Sequence, residues 1–459
     1  TTSIDANFDN TNNTEGLTIA AGVTLDTTGS ALTIVGDLVL DATGTVTSGA
    51  ARTTISSATG LVVLGAAGGN TSITDVEIDR ITAGDLVIST TVAGSDIQVA
   101  GAFSPALIDP VILNSVDAIT DTGAGALTTA NLRVTSGGAV DMSLGSHDVD
   151  NIAVSGGQTF AFTDIDDLTV STVDGVVGIT SAGLTLNAAT GVTVNQAIAA
   201  TAAVVIDTDF DNNGVGDFTI ADATTLASGG GAVSIIADDI LMNTTGAINA
   251  GAGAVTLTPA TASAVGLGGT ASGAFDISDA ELDNITATGL VTIGDANATT
   301  MTVNAFTHAG AGGLALAATG AGGAITFATG ASTAAGLLTL TALDGVTVNV
   351  GVTSAGVTTI NADSNADGAG DFTGAAALST GGNTLSITAN DIALTSTLNS
   401  GAGATTLLVS DAGTIGLGDT AGALTLSGAE LQNITATGLT IGDATNGSIT
   451  VNNITAANS

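Results

Sequence analysis

Two stretches of this chain carry oxygen-bearing side chains at a spacing that suits a hard cation. Residues 209–217 read DFDNNGVGD and residues 363–371 read DSNADGAGD. In the first, Asp209, Asp211 and Asn213 alternate, Gly214 follows and Asp217 closes. In the second, the same places hold Asp363, Asn365, Asp367, Gly368 and Asp371. The opening D-x-[DN]-x-[DN]-G is that of calcium loops: alternate oxygens converge as the loop curls, and Gly permits the sharp turn. The bidentate Glu of an EF-hand loop is missing and no flanking helices are evident. Isolated calcium loops are therefore expected, with calcium as the cofactor. Asp, Asn and Gly are also good turn formers, which gives a plainer account of either copy alone. Recurrence in register favours the metal. Residues 4–18, IDANFDNTNNTEGLT, look like a decayed further copy, with Asn7, Asp9, Thr11, Asn12 and Glu15 but no Gly.

Catalytic chemistry is harder to find, and a non-enzymatic role is expected. His147 and His308 are the sole histidines and have different neighbours; a lone His is usually a polar surface or corner residue. Carboxylates are everywhere, so an excess of candidate glycosidase pairs carries no signal. The chain has no lysine, and Arg52, Arg80 and Arg133 are its only Lys or Arg residues. That leaves little with which to stabilise a carbanion, as a polysaccharide lyase must. The formal net charge of −39 repels phosphate backbones and anionic membrane surfaces, which excludes nucleic acid as a partner. It suits cations and solubility. Zero cysteine excludes disulfides and thiolate metal sites. No apolar run approaches the roughly 18 residues of a membrane span. No signal sequence opens the chain, so a removed signal or a longer parent polypeptide is expected.

The elements that must position these residues are short and repeated. Residues 77–88 read EIDRITAGDLVI, 281–294 ELDNITATGLVTIG and 430–442 ELQNITATGLTIG. Three of the four glutamates, Glu77, Glu281 and Glu430, fall at this one place. The calcium-like loops and the runs at 32–46, 233–248 and 385–398 recur in the same order. Three units follow, at 1–205, 206–359 and 360–459, the last incomplete. Between Gly, Asn and Asp pairs lie strands of three to five residues in which an apolar residue alternates with Thr, Ser or Asp, as in LTIV at 32–35 and LTLTAL at 338–343. Such spacing is too close for sandwich hairpins and suits coils of about three short strands each. The expected fold class is all-β, a parallel β-helix of roughly twenty short rungs stacked at about 4.8 Å. The long first unit has a surplus within 89–180, where Pro105 and Pro110 lie; a protrusion is expected there. Looser acidic motifs at 115–120, 148–153 and 164–169 read as corners in which Asp caps backbone amides. Sequons at Asn284 and Asn433 are equally explained by the strand preference of Thr.

Residues 267–303 and 417–451, and more weakly 64–88, resemble the repeats of filamentous-haemagglutinin-like, β-strand-repeat bacterial exoproteins. The resemblance covers about a third of the chain. It implies a right-handed β-helix, export to the bacterial cell surface and a role in adhesion or extracellular assembly; it brings no catalytic residues. Neither end of the sequence shows a helical or polar cap, and uncapped repeat rods join head to tail. The expectation is an extracellular, calcium-stabilised structural protein that forms a filament, sheath or surface layer as a homopolymer. The alternative is a stalk-like adhesin whose 89–180 region binds surface glycans or another cell.

Overall fold

A computed structural model describes residues 1–6, 16–57, 59–269 and 273–455. The decayed loop copy, with Asn7, Asp9, Thr11, Asn12 and Glu15, lies outside the described residues. The chain is about 51% strand and 3% helix, and its strands pair in parallel to form a solenoid of short rungs. Contacts gather it into two compact units: Thr1–Asp211 with Val215–Gly229, and Asn212–Gly214 with Gly230–Ser459. These boundaries differ from the repeat boundaries at 205 and 359.

In unit 1 one inward rank runs Ile4, Ile34, Ile55, Ile88, Leu113, Val134, Val154, Ile179, Ile198, Leu226, each residue paired in register with the next. The coil between successive members is nineteen residues from Ile179 to Ile198 and thirty-three from Ile55 to Ile88. The strands thus keep register while the loops absorb every insertion, as loop-closure entropy, which grows slowly with length, allows. In unit 2 an inward rank on another sheet of the coil is Ile235, Leu257, Ile293, Leu316, Leu340, Ile360, Ile387, Leu407, Ile441. All but the last are fully buried. A second face of the same coils stacks Val265, Met301, Ile325, Val346, Phe372 and Ile392. A third stacks Ser332, Val352, Leu378, Leu398 and Ile434. Period-two alternation points every second side chain into this shaft, and each buried Leu or Ile contributes about 1.5–3 kcal/mol.

Corners are closed by buried hydroxyls. Ser48 donates to the Ala51 carbonyl and lies 2.9 Å from the Thr53 hydroxyl; Ser400 does the same with Gly403 and Thr405. Buried polar groups are thereby satisfied locally, so the coil turns without water.

Within 89–180 most of the chain stays in the ladder. The strands Val111–Ser115, Ala126–Ser136 and Val140–Gly156 stack in register. Two features leave it. One is the loop of residues 104–110, which ends in a cis Asp109–Pro110 peptide. The other is an antiparallel hairpin, Thr172–Val173 with Val176–Val177. Its turn residues Asp174 and Gly175 both have positive φ, 45° and 79°, as a two-residue type I′ connection requires.

Candidate functional site

The second cation-type loop lies wholly in unit 2. Asp363 is 1% exposed. Its carboxylate accepts from the Asp367 amide (3.2 Å), the Gly368 amide (3.1 Å) and the Ser410 hydroxyl (2.6 Å). Asn365 donates to Asp367 Oδ2 at 2.8 Å, and the Ala369 amide to Asp367 Oδ1 at 3.1 Å. Asp371 Oδ1 accepts from the side chain of Asn390 and the amide of Asp391, both at 3.0 Å, in the following coil. These acids serve backbone amides and neighbouring side chains as they stand.

The first loop matches the second in burial and backbone conformation. Asp209 is buried like Asp363, while Asp211 and Asn213 are exposed and Asp217 opens the strand Asp217–Ile220. Asn212 and Ala366 share a left-handed φ, as do Gly214 and Gly368. A Cβ on Gly216 would stand 2.0 Å from the Thr208 carbonyl oxygen, and one on Gly370 2.0 Å from that of Ala362. The matching glycines are therefore required by the turn itself. Among the described residues, no group of three or more His, Cys, Asp or Glu side chains is arranged to hold a metal.

The glutamate motif forms a one-turn helix, at Asp75–Ile78, Asp279–Asp283 and Gly428–Gln432. Each opens with a capping box. The Ser278 amide donates to Glu281 Oε2 (2.8 Å) and the Glu281 amide to Ser278 Oγ (3.2 Å); Thr74 with Glu77 and Ser427 with Glu430 repeat the box. The other glutamate oxygen reaches the preceding coil, accepting from the amides of Leu40 (3.2 Å), Met242 (2.9 Å) and Leu394 (3.0 Å). An aspartate in that preceding coil answers in the opposite direction. Asp37, Asp239 and Asp391 accept from the amides of Ser72, Asp276 and Thr425 at 2.7–2.9 Å. Each helix-bearing excursion is thus stapled to its neighbour by two carboxylates. Asn284 and Asn433, read as sequons, donate to the carbonyls of Thr244 and Leu394. The signal for these helices was present in the sequence as S/T-x-x-E before an apolar residue.

All three arginines are engaged within the chain. Arg80 donates to the Leu40 carbonyl at 2.7 Å. Arg52 pairs with Asp85 (2.8 Å) and Asp174 (2.9 Å), and Arg133 with the other oxygen of Asp174 (2.6 Å). The acid that joins two of the three arginines sits at the tip of the antiparallel hairpin. The Asp-Gly pair between STV and VVG is the sequence signal for that turn.

Neither histidine is a surface residue: His147 is fully buried and His308 is 3% exposed. His147 Nδ1 accepts from the Leu127 amide at 3.1 Å, so Nε2 carries the proton toward Asp121 Oδ2, 3.1 Å away. The ring stacks on Phe162, with centroids 5.3 Å apart. Burial lowers the His147 pKa against the opposing pull of Asp121. His147 pairs in the ladder with Asp164, whose carboxylate accepts from the Val149 and Asp166 amides. Burial, followed by a hydrogen bond shared with the Asp166 carboxylate, pushes Asp164 up to about 8. At neutral pH Asp164 therefore carries a proton, and two acids sit side by side without full charge repulsion. A cleft of about 580 Å³ lies elsewhere in unit 1, between the 104–109 loop and residues 83–84 and 128–130. Among the described residues, no helix is long and apolar enough to cross a membrane.

No family model matches this chain, and no curated protein or solved structure matches it either.

Proposed function

We propose that the chain is an extracellular structural protein of bacterial type, a β-solenoid whose coils stack further coils end to end into a filament, sheath or surface layer. The observation that supports this reading is the stacking itself: parallel coils lie on one another in register, and fully buried aliphatic ranks such as Ile235 to Leu407 run through them. A ladder of this kind extends by taking a like strand at its edge, and a heterologous contact that does not close grows as a fibre. The carboxylates and arginines described above are engaged in holding coils together, which supports a scaffold rather than an enzyme.

Calcium enters as the stabilising counter-ion that the two loops call for by sequence. Binding requires Asp363 and Asp367 to release their amide partners and turn with Asn365 and Asp371 toward one ion; Asp209, Asp211, Asn213 and Asp217 offer the same oxygens by sequence. Purified protein at high concentration with calcium should form long polymers in negative stain, and chelator should lower the melting midpoint. Single particles at every concentration overturn the filament; an unchanged midpoint removes the metal while leaving the filament.

The cleft beside the 104–109 loop supports a second reading as a stalk-like adhesin. It is lined by Ser104, Asp109, Thr128 and Thr129, with Leu107 59% exposed at its rim. A glycan array tests it directly: reproducible binding lost on substitution of Asp109 favours the adhesin.

A further inference from the structure

The outer face of unit 1 contains a stripe that ought to be wet and is not. Inward residues Leu113 and Val134 fix the alternation, so Val87, Ile112 and Ala153 point outward in one register with Arg133. They are nevertheless only 9, 1 and 0% exposed. Beside the stripe stand the antiparallel hairpin and the two arginines that hold it. The strands carrying Arg52 and Arg133 are separated by the two strands of Val87 and Ile112, a span of about 14 Å at normal strand spacing. Both guanidinium groups nevertheless meet on Asp174. Their aliphatic stems must therefore lie over the stripe from either side. The hairpin packs on the strands Ala126–Ser136 and Val140–Gly156 and buries Val173.

We propose that the hairpin Thr172–Val177 is a releasable strap, closed by the Arg52–Asp174–Arg133 ion pairs, that keeps an apolar and cationic stripe of unit 1 from docking on a second copy of this chain. The clamp is weak enough to open. Arg52 is 38% exposed and Arg133 and Asp174 are each 23% exposed, and partly solvated pairs are screened by salt. The occupant follows from charge. Release leaves Arg133 without its acid beside an apolar strip, while the rest of a chain of net charge −39 is the complementary surface. The contact would be lateral, and it is independent of the end-to-end growth proposed above.

Asp174→Asn tests this in the full chain. Asn-Gly is itself a favoured type I′ pair, so the substitution removes the charge and keeps the turn. The expected result is at least a tenfold loss of amide-exchange protection at 172–177, with concentration-dependent dimers by sedimentation. In those dimers the strands of Val87 and Ile112 should regain protection. The unmodified chain in 1 M sodium chloride should show the same release, which covers the case in which the variant folds poorly. Protection at 172–177 that is unchanged in both experiments overturns the strap. Release with a sedimentation coefficient that stays monomeric overturns the second copy as its occupant. Long end-to-end polymers without side-by-side pairing also count against the lateral contact.

Discussion

Two outward ranks, one in each unit and on different sheets of the coil, have opposite chemistry on the same kind of backbone. In unit 2 the rank beside the aliphatic ladder reads Ser234, Thr256, Thr292, Ala315, Thr339, Thr359, Ser386, Thr406, Thr440, all in register. In unit 1 a rank on another sheet of the coil opens with Ser3, Thr33 and Thr54 and goes on as Val87, Ile112, Arg133, Ala153. A hydroxyl rank keeps the β-branched shape that a strand favours and hydrates its outer surface, so it needs no cover. An aliphatic rank on an exposed parallel sheet is an invitation to stick, and in unit 1 the antiparallel hairpin Thr172–Val177, held by Arg52 and Arg133, is proposed to cover it. The solenoid core is thus common to both units; what the outer rank is made of decides whether the face is bare or covered.

The largest test of this contrast is Ile112→Ala. Although it points away from the shaft, Ile112 should behave as a core residue and lose about 2–4 kcal/mol. Denaturant titration with amide exchange read over unit 1 checks it, since a repeat chain need not unfold in one step. A loss below about 0.5 kcal/mol, the range of ordinary surface changes, would mean that the stripe is not under load and that the contrast is one of sequence only.

Carboxylate staples should be equal in the two units, and that equality sharpens the contrast. Glu77→Ala and Glu281→Ala each remove a capping box and leave an amide of the preceding coil, Leu40 or Met242, without its acceptor. Each should cost about 1–3 kcal/mol, read as lost exchange protection at that amide and its helix. Unequal losses would show that the staple depends on what covers the coil outside it.

Acidity offers a third difference, because the Asp164–Asp166 pair belongs to unit 1. Asp164 binds its proton more tightly folded than unfolded, so the stability it contributes is full below the unfolded value near 3.8 and is lost as pH rises through about 8. The limiting slope is about 1.4 kcal/mol per pH unit. His147 acts in the other direction: burial lowers its pKa, so its contribution is present above the unfolded value near 6.5 and falls away in acid. Unit 1 should therefore lose protection as pH rises from about 6.5 to about 8, and Asp164→Asn should flatten that slope. An identical slope in the variant would assign it to general carboxylate repulsion.

Much of the fold was legible. Alternation in LTIV and LTLTAL gave the strands, and repeated glutamates gave the duplication. Two further signals were legible but were overridden by the expectation of uniform rungs. The S/T-x-x-E boxes mark the short helices, and the Asp174–Gly175 pair marks the hairpin. The covered stripe was not legible. Which outward residues share a rank depends on coil lengths that run from nineteen to thirty-three residues, and no local pattern reveals that Val87 stacks on Ile112 and Ile112 on Arg133. The buried histidines were missed for the same reason, since His147 lies at a register shift between two strands. At the cation-type loops the sequence showed oxygens at the right intervals. It did not show that Asp363 faces its own amides or that Asp371 faces the next coil.

The smallest expected effect is the most direct reversal of the comparison. Thr359→Val in unit 2 keeps the shape and the β-branch of an exposed residue, and its stability should change by no more than about 0.5 kcal/mol. Converting Thr339, Thr359 and Thr406 together would build on unit 2 the kind of aliphatic outer face that unit 1 keeps covered, with nothing to cover it. The folded chain should then keep its melting midpoint within a few degrees but self-associate at concentrations where the parent chain is monodisperse by sedimentation, because an apolar outer rank costs solubility rather than folding free energy. A triple variant that stays monodisperse would show that such a stripe is tolerated bare, and the hairpin over Val87 and Ile112 would need a reason other than concealment.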